Sequence, residues 1–313
     1  MKRCYCGIDI GGTTVKMCLY DADKDELLHV WEVTTIKDSD ELVVLNRIFD
    51  SLRDACDLYK IKVNELIGIG IGVPGPVTEE GYVLKCVNLD WGIVNLKKLV
   101  VDRTGVKNVE IGNDANVAAL GEMWRGSAKN YRNIVMVTLG TGVGGGIITA
   151  GKIHPGRNGA SGEIGHMTID PDEKELCSCG CRGCLEQFAS AMGIVRLAKK
   201  MYPNEYSSKN IDAKILFDNA RKGDAKACDV VEMLYKYLGI ALSNMATVMS
   251  PDIFLIGGGV AGAGSILCDG VNKYYNEYAF HAHKDTPIKL ASLGNMAGMY
   301  GSVKMVLKDS ENI

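Results

Sequence analysis

Four cysteines fall within eight positions in CSCGCRGC, Cys177 to Cys184, and His166 precedes the first of them by eleven residues. Cys-x-Cys-x4-Cys with an upstream imidazole suits tetrahedral zinc, three thiolates and one nitrogen with no open position. The expected Zn²⁺ ligands are His166, Cys177, Cys179 and Cys184; a set with Cys181 in place of Cys177 has a comparable spacing. Such an ion does no chemistry of its own, and its binding energy is folding energy. Free thiols crowded in one loop would oxidise readily, so a purely thiol cluster is the poorer reading. Glu163 lies three residues before His166 and Glu186 two residues after Cys184. A lone surface glutamate is ordinarily a solvated charge, but a metal knot would bring these two together as acceptors for sugar hydroxyls.

A second kind of chemistry sits in glycine-threonine turns. Asp9 ends an apolar run and is followed by Gly11-Gly12-Thr13-Thr14; Leu139-Gly140-Thr141-Gly142 and Gly257-Gly258-Gly259 are similar. Glycine lets the backbone approach a phosphate, and successive N–H groups can cradle an anion. A carboxylate beside a phosphate makes sense if Mg²⁺ and its waters lie between them; otherwise Asp9 is a solvated turn residue. In IGNDANVAALGE, Asn113 and Asp114 precede a helical pattern. Both are favoured N-caps; alternatively Asp114 is a general base for a hydroxyl attacking a γ-phosphate and Asn113 holds the same alcohol. Spacing alone does not choose.

Two stretches match the loose Gly-x-Gly-x-x-Gly pattern, at 140–145 and 257–262. The first runs into a strand-like GIITAGKI where a dinucleotide fold needs a helix. The second lacks the acidic residue about 20 positions on that a ribose requires. No Walker motif is present. Three separate turns of this kind fit a nucleotide held between two lobes.

The elements that must position these groups are legible in outline. YCGIDI and VKMCLYD read as a hairpin. From Asp40 to Lys60, Leu42, Leu45, Ile48, Leu52 and Cys56 form one helical stripe. IGIGIGVPGPV is a glycine-rich strand closed by Pro-Gly-Pro. VEIGNDANVAALGEMW reads as strand, corner and helix. NIVMVTLGTGVGGGIITAGKI repeats the opening plan of strand, glycine-threonine turn and returning strand, which suggests a duplicated α/β unit. DVVEMLYKYLGIALSNMATVM is a long helix stopped at Ser250-Pro251, and DIFLIGGGVAGAG a buried strand entering a turn. The stretch 203–214 is expected to be a mobile loop.

Composition narrows the classes. The 313 residues hold 35 basic and 38 acidic side chains and 47% apolar residues, so there is no broad basic surface for nucleic acid. No run of eighteen apolar residues suggests a membrane span, and no signal core follows the N-terminus. Eleven cysteines, seven of them scattered through apolar segments, argue against a disulfide framework and for a reducing cytoplasm.

The sequence resembles the ROK family of sugar kinases within the actin-like/ribonuclease H-like ATPase superfamily. The resemblance rests on DIGGTTVK at 9–16, GVPGPV at 72–77, NLDW at 88–91, NDANVAALGE at 113–122, LGTGVGGGI at 139–147, GASGEIGHM at 159–167, CSCGCRGCLEQFAS at 177–190 and IGGGVAG at 256–262, in family order over nearly the whole chain. It implies a duplicated α/β fold with two lobes and a cleft: an N-terminal lobe at 1–118 with the C-terminal helix, about 297–313, packing back on it, and a C-terminal lobe at 119–296 carrying the zinc site. It implies ATP and Mg²⁺ as cofactors, Zn²⁺ as a structural ion, sugar and ATP as partners, and a homodimer. Gly75, Asn88, Asn113, Asp114, Glu163, His166 and Glu186 match sugar-contacting positions, with Asp114 as base. Asp9, Gly11, Gly12, Thr13, Thr14, Thr141 and Gly142 match phosphate and Mg²⁺ positions, and Gly258 and Gly259 the adenosine end. The family pattern C-x-C-G-x-x-G-C selects Cys177, Cys179 and Cys184 and leaves Cys181 unspecified. The motif versions look most like those of glucokinases, which implies phosphorylation of D-glucose; another hexose, or a non-catalytic sugar sensor, is the alternative. One departure is LGNMAG at 293–298, where a GNDAG-like run is more usual; nothing catalytic is expected to depend on it.

Overall fold

A computed structural model of the chain describes residues 3–35, 41–84, 86, 89–207 and 210–307. Asn88 therefore lies outside the described residues. The opening apolar run forms β1 (Cys4–Ile10), and after the glycine turn the chain returns as β2 (Thr14–Asp21) and β3 (Glu26–Thr34). β1 pairs antiparallel with β2, which pairs antiparallel with β3. Helix α1 (Glu41–Leu58) follows, with Leu45, Ile48, Leu52 and Cys56 buried. Leu42, expected on the same stripe, is instead 49% exposed: Val44 fills the core position in the first turn.

The strand β4 (Gly68–Val73) lies parallel to β1. Its glycines have a packing cause, because a Cβ on Gly70 would lie 1.8 Å from the carbonyl oxygen of Ser302. The short strands β5 (Tyr82–Val83) and β6 (Val94–Asn95) pair with each other and lead into α2 (Leu96–Thr104). β7 (Val109–Asn113) adds parallel to β4 and turns directly into α3 (Asp114–Arg125). The sheet order is β3-β2-β1-β4-β7. β1 and β4 are buried almost throughout, as strands covered on both faces must be.

The plan then recurs. β8 (Ile134–Leu139), β9 (Val143–Thr149) and β10 (Lys152–Ile153) form the second meander. After the cysteine-rich segment come α4 (Glu186–Ala189), α5 (Ala191–Met201), α6 (Pro203–Tyr206), α7 (Ala213–Arg221) and α8 (Ala225–Met249). β11 (Ile253–Gly257), α9 (Ser265–Tyr278), β12 (Ile288–Leu290) and α10 (Ala297–Val306) complete the chain. The second sheet runs β10-β9-β8-β11-β12, with β11 parallel to both β8 and β12. In each sheet the order is third, second, first, fourth, fifth.

Two sequence expectations change. The stretch 203–214 is not a single loop: Pro203 starts a helical turn, where its missing N–H costs nothing, and Asp212 caps α7 by accepting from Ile215 N at 2.7 Å. Ser208 and Lys209 lie outside the described residues. The long helix begins earlier than Asp229, because Asp224 caps it at Ala227 N; Ser250, in the left-handed region, ends it.

By packing, the chain forms two compact units: Met1–Lys129 with Gly146–Ser161 and Asn295–Ile313, and Asn130–Gly145 with Gly162–Gly294. In the first unit α10 lies against α3, β1 and β4. Each unit has its own apolar core, one around β1, β4 and α1, the other around β8, β11 and α8.

Candidate functional site

In the first unit the polar corner at the end of β7 is resolved. Asn113 is the N-cap of α3: its Oδ1 accepts from Ala115 N at 3.0 Å and from Asn116 N at 3.2 Å. Its Nδ2 donates to the Gly75 carbonyl at 3.2 Å, and Gly75 takes φ +98°, which the Pro-Gly-Pro turn needs. The Asn113 amide also donates to the Asp114 carboxylate beside it. Capping is thus done by Asn113, and Asp114 is the first helical residue. Its Oδ1 accepts from Ala115 N at 2.8 Å. Burial pushes the Asp114 carboxyl above its ordinary pKa, against the opposing pull of the Ala115 N–H.

Asp9 faces a related environment at the end of β1. Burial, and secondarily the charge of Asp114, push its carboxyl up to about 6; Lys16, its antiparallel partner on β2, pulls the other way. The glycine turn beyond it is closed by Gly11 N donating to Thr14 O at 3.0 Å and by Thr35 Oγ1 donating to Gly11 O at 2.8 Å. Thr13 is exposed, and Gly12 and Thr14 are half-buried. The carboxylate at a strand end offers hard oxygen donors, which suits Mg²⁺. A residue that sequence reading passed over also shapes this corner. A Cβ on Gly298 would lie 2.4 Å from the Asp9 carboxyl, so only glycine lets α10 start there. Gly298 belongs to the LGNMAG run, which therefore does bear on a candidate site. Its signal was a glycine within a helical pattern, which usually marks a close approach. A cavity of about 440 Å³ also borders Asn113, with Glu110, Asn116, Lys152 and Met305 in its wall, but neither Asp9 nor Asp114 lines it.

In the second unit the cysteine segment folds as a small hairpin. Leu176 and Arg182 bridge antiparallel, Cys177 N donates to Cys181 O at 2.8 Å, and Gly180 N to Cys177 O at 2.9 Å. Gly183 (φ +69°) sits where a Cβ would meet the Asp170 carbonyl at 1.8 Å, so the hairpin can lie on the His166 segment. Among the described residues the ligand atoms of His166, Cys177, Cys179 and Cys184 all lie within 4.8 Å of one another. Cys179 and Cys184 sulfurs are 3.6 Å apart, and His166 Nδ1 is 3.8 Å from Cys177 Sγ. A tetrahedral ion with metal–sulfur bonds of about 2.3 Å separates its sulfurs by roughly 3.8 Å, so this donor set fits. Cys181 is not in the group. Burial, then the neighbouring sulfurs, push Cys184 up to about 12, so a cation must displace protons to bind.

The hairpin is tied down by Glu173. Burial opposes its charge, but Arg196, the Glu175 N–H and Lys200 together hold its carboxyl down at about 2. Glu186 begins α4 and reaches three ways: it accepts from Val143 N at 3.2 Å and Ser178 Oγ at 3.2 Å, with Cys177 Sγ at 3.8 Å. It packs so closely on the Thr141-Gly142 turn that a Cβ on Gly142 would lie 2.1 Å from its oxygen. Glu163 and His166 are exposed, on either side of a 3₁₀ turn. Gly258 (φ +83°) is fixed by the fold, since a Cβ would strike the Leu139 backbone at 2.6 Å. Gly140 and Gly259 face open space and are free of any such demand from the chain.

Comparison with known proteins follows the same pattern. The sequence profile of the ROK family matches residues 5–309. A protein of Halalkalibacterium halodurans named glucokinase is 38% identical over 99% of this chain and 96% of its own length. The crystal structure of the ROK hexokinase from Thermus thermophilus superposes with a TM-score of 0.82, 29% identity and 97% coverage of both chains. That of a ROK family glucokinase from Streptomyces griseus in complex with glucose and AMPPNP gives 0.75 and 31%, covering 96% of this chain and 98% of that one. Proteins named N-acetyl-D-glucosamine kinase, from Haemophilus influenzae, and xylose repressor, from Caldicellulosiruptor bescii, are related at 28% and 30% identity over 97% of the chain.

Proposed function

The chain belongs to the ROK family, with the duplicated actin-like ATPase fold of that family, and from that premise we propose that it transfers the γ-phosphoryl group of ATP to a hexose hydroxyl, converting D-glucose to D-glucose 6-phosphate. The observation that carries this reading is Asp114, a half-buried carboxylate with a raised pKa at a helix start whose capping is done by its neighbour. A carboxylate so placed is free to take a proton. In the proposed reaction Asp114 accepts the proton of the attacking hydroxyl, while the neighbouring Asn113 side chain fixes the same alcohol. Asp9 would hold Mg²⁺ beside the Gly11–Thr14 turn, where the ion neutralises phosphate charge, and the turn's N–H and hydroxyl groups stabilise the transferring group.

The second unit contributes binding groups in this reading. Glu163, the Nε2 face of His166 and Glu186 accept or donate to sugar hydroxyls, as does Asn88 in the first. Thr141 and Gly142 contact phosphate, and Gly258 and Gly259 the adenosine end; the open space at Gly140 and Gly259 favours close backbone approach. His166, Cys177, Cys179 and Cys184 would hold Zn²⁺, which cross-links the hairpin and does no chemistry. No described helix is long and apolar enough to cross a membrane. A cytoplasmic homodimer completes the reading, on family resemblance alone.

The test is ADP release by the purified protein with Mg²⁺ and ATP across glucose, mannose, fructose, N-acetylglucosamine and N-acetylmannosamine. The expected result is a kcat/KM for glucose well above the rest. Preference for another hexose would keep the mechanism and move the substrate, since one hydroxyl or acyl contact is worth only a few kcal/mol. No turnover by folded, metal-loaded protein would sink the kinase reading in favour of a sugar sensor.

A further inference from the structure

The cavity beside Asn113 lies wholly within the first unit, and of its wall the reaction proposed above uses only Asn113. It opens along the outer edge of β7, between α3, the β9–β10 turn and the end of α10, and its volume of about 440 Å³ is that of a small-molecule site. Two buried polar groups in the wall lack partners. Asn116 is 2% exposed; its Oδ1 accepts from Ile147 N at 2.9 Å, and its Nδ2 meets no acceptor among the described residues. Both amide hydrogens are therefore left for an occupant. The second group is backbone. β7 is the edge strand of its sheet, and Ile69 N donates to Asn108 O at 2.9 Å. That bond sets the parallel ladder so that Glu110 and Gly112 bond to β4, while Ile111 turns its N–H and C=O to the open edge. Ile111 is only 9% exposed, so this edge faces the cavity instead of bulk water, where an unpaired backbone group is costly.

Charge narrows the occupant. Glu110 is in the wall, but Lys97 Nζ lies 3.1 Å from both of its carboxylate oxygens and offsets it. Lys304 is a half-buried cation of the wall, and Lys152 lines it as an exposed lysine with no ion pair among the described residues. Exposed Glu79 is the opposing charge. Leu120 and Met305 add apolar surface. We propose that this cavity is a second ligand site, and that it takes a sugar phosphate. The sugar hydroxyls bond to Asn116 Nδ2 and to the Ile111 peptide groups, the carbon face of the ring packs on Leu120 and Met305, and the phosphate pairs with Lys152 through charge-assisted hydrogen bonds. Asn113 and Asn116 flank Asp114 in the first turn of α3, so an occupant bears directly on that corner. This consequence rests on the reading of Asp114 as base; the site itself does not.

The experiment measures binding of glucose 6-phosphate to the full-length protein by calorimetry, with and without saturating glucose and a non-hydrolysable ATP analogue, and maps it by hydrogen exchange. The expected result is binding that persists with both present, protection gained over residues 109–120 and 151–155, and affinity about tenfold or more lower in Lys152→Glu (a fold-change of the size that losing one charge-assisted bond gives). Lys152 is exposed on a turn, so that variant should keep its fold and its basal kcat/KM. Leu120→Trp, which fills the cavity, should abolish the binding. Displacement by glucose or the ATP analogue would put the ligand in the active site. Unchanged affinity in Lys152→Glu would remove the anchor, and inorganic phosphate binding as tightly as the ester would leave only an anion spot. Each of these outcomes, or no binding at all, would overturn the proposal. If the protein turns over no sugar, the kinase reading fails by itself, and the binding map still decides whether the cavity holds the ester.

Discussion

In the first sheet the β1–β4 pairing ends with Asp9 opposite Gly72; in the second, the β8–β11 pairing ends with Thr138 opposite Gly257. The strand order and this register are the same, and each strand end runs into a glycine-threonine turn and a returning antiparallel strand. The ionisable groups are not repeated. The first unit carries two carboxylates with raised pKa values, Asp9 and Asp114, at the ends of β1 and β7. The second carries a hydroxyl at the Asp9-equivalent place, and its charged groups sit in the cysteine hairpin and α4 instead. Duplication therefore supplies two copies of a scaffold that differ in a few side chains at strand ends, where open α/β sheets bind ligands. Burying a carboxylate costs stability, and at these strand ends only the first copy bears that cost, whereas buried Glu173 in the second is offset by Arg196 and Lys200.

Predictions that break or sharpen this contrast begin with Asp114. Asp114→Asn should keep the helix, since Asn113 caps it, and lower kcat by about 10²–10⁴-fold, the range of a general base. Sugar binding, read by calorimetry, should stay within a fewfold; turnover near wild type would remove Asp114 from that role. Metal removal should act on the other unit. With a strong chelator, or in Cys184→Ser, hydrogen exchange should rise across residues 162–190 and the sugar KM should increase, while β1, β4 and α10 keep their protection. Active wild type that contains no zinc by elemental analysis would end this line.

The glycines give a paired test. Gly298→Ala presses on the Asp9 carboxyl and should cost about tenfold or more in kcat, because small displacements at a reacting centre are expensive. Gly259→Ala enters open space, so melting temperature should be unchanged and only the ATP KM should rise. Asp9→Asn tests the stability cost directly. A carboxyl raised from 3.8 to about 6 favours the fold below pH 4, and that advantage is lost as pH rises through 6. The variant should therefore gain stability over wild type above pH 6, by up to about 3 kcal/mol, and gain none near pH 4, while losing activity. Equal denaturation midpoints at both pH values would contradict the buried charge. The smallest effect is expected from Glu173→Gln, which weakens the ties to Arg196 and Lys200 by about 1–3 kcal/mol. The Glu173 carboxyl is held at about 2, so this difference should be full above pH 4.5, shrink progressively as pH falls below it and be gone below about 2.

Local pattern and tertiary decision divide along physical lines. The sequence by itself determined the repeated strand–turn–strand plan, the grouping of His166 with Cys177, Cys179 and Cys184 and the strand–corner–helix around Asp114, because alternation, glycine-threonine turns and short cysteine spacings act over a few residues. It did not say which of Asn113 and Asp114 caps α3, since both side chains can accept from the same N–H groups; the orientation at the end of β7, with Gly75 beneath Asn113, decided that. It offered Cys181 or Cys177 as ligand with similar spacing, and the hairpin register placed Cys177 inward. It read IGIGIGV and LGNMAG as separate features. Only the tertiary structure, by laying α10 across β1 and β4, makes Gly70 and Gly298 parts of one packing contact, because close backbone approach is a property of two segments more than 200 residues apart.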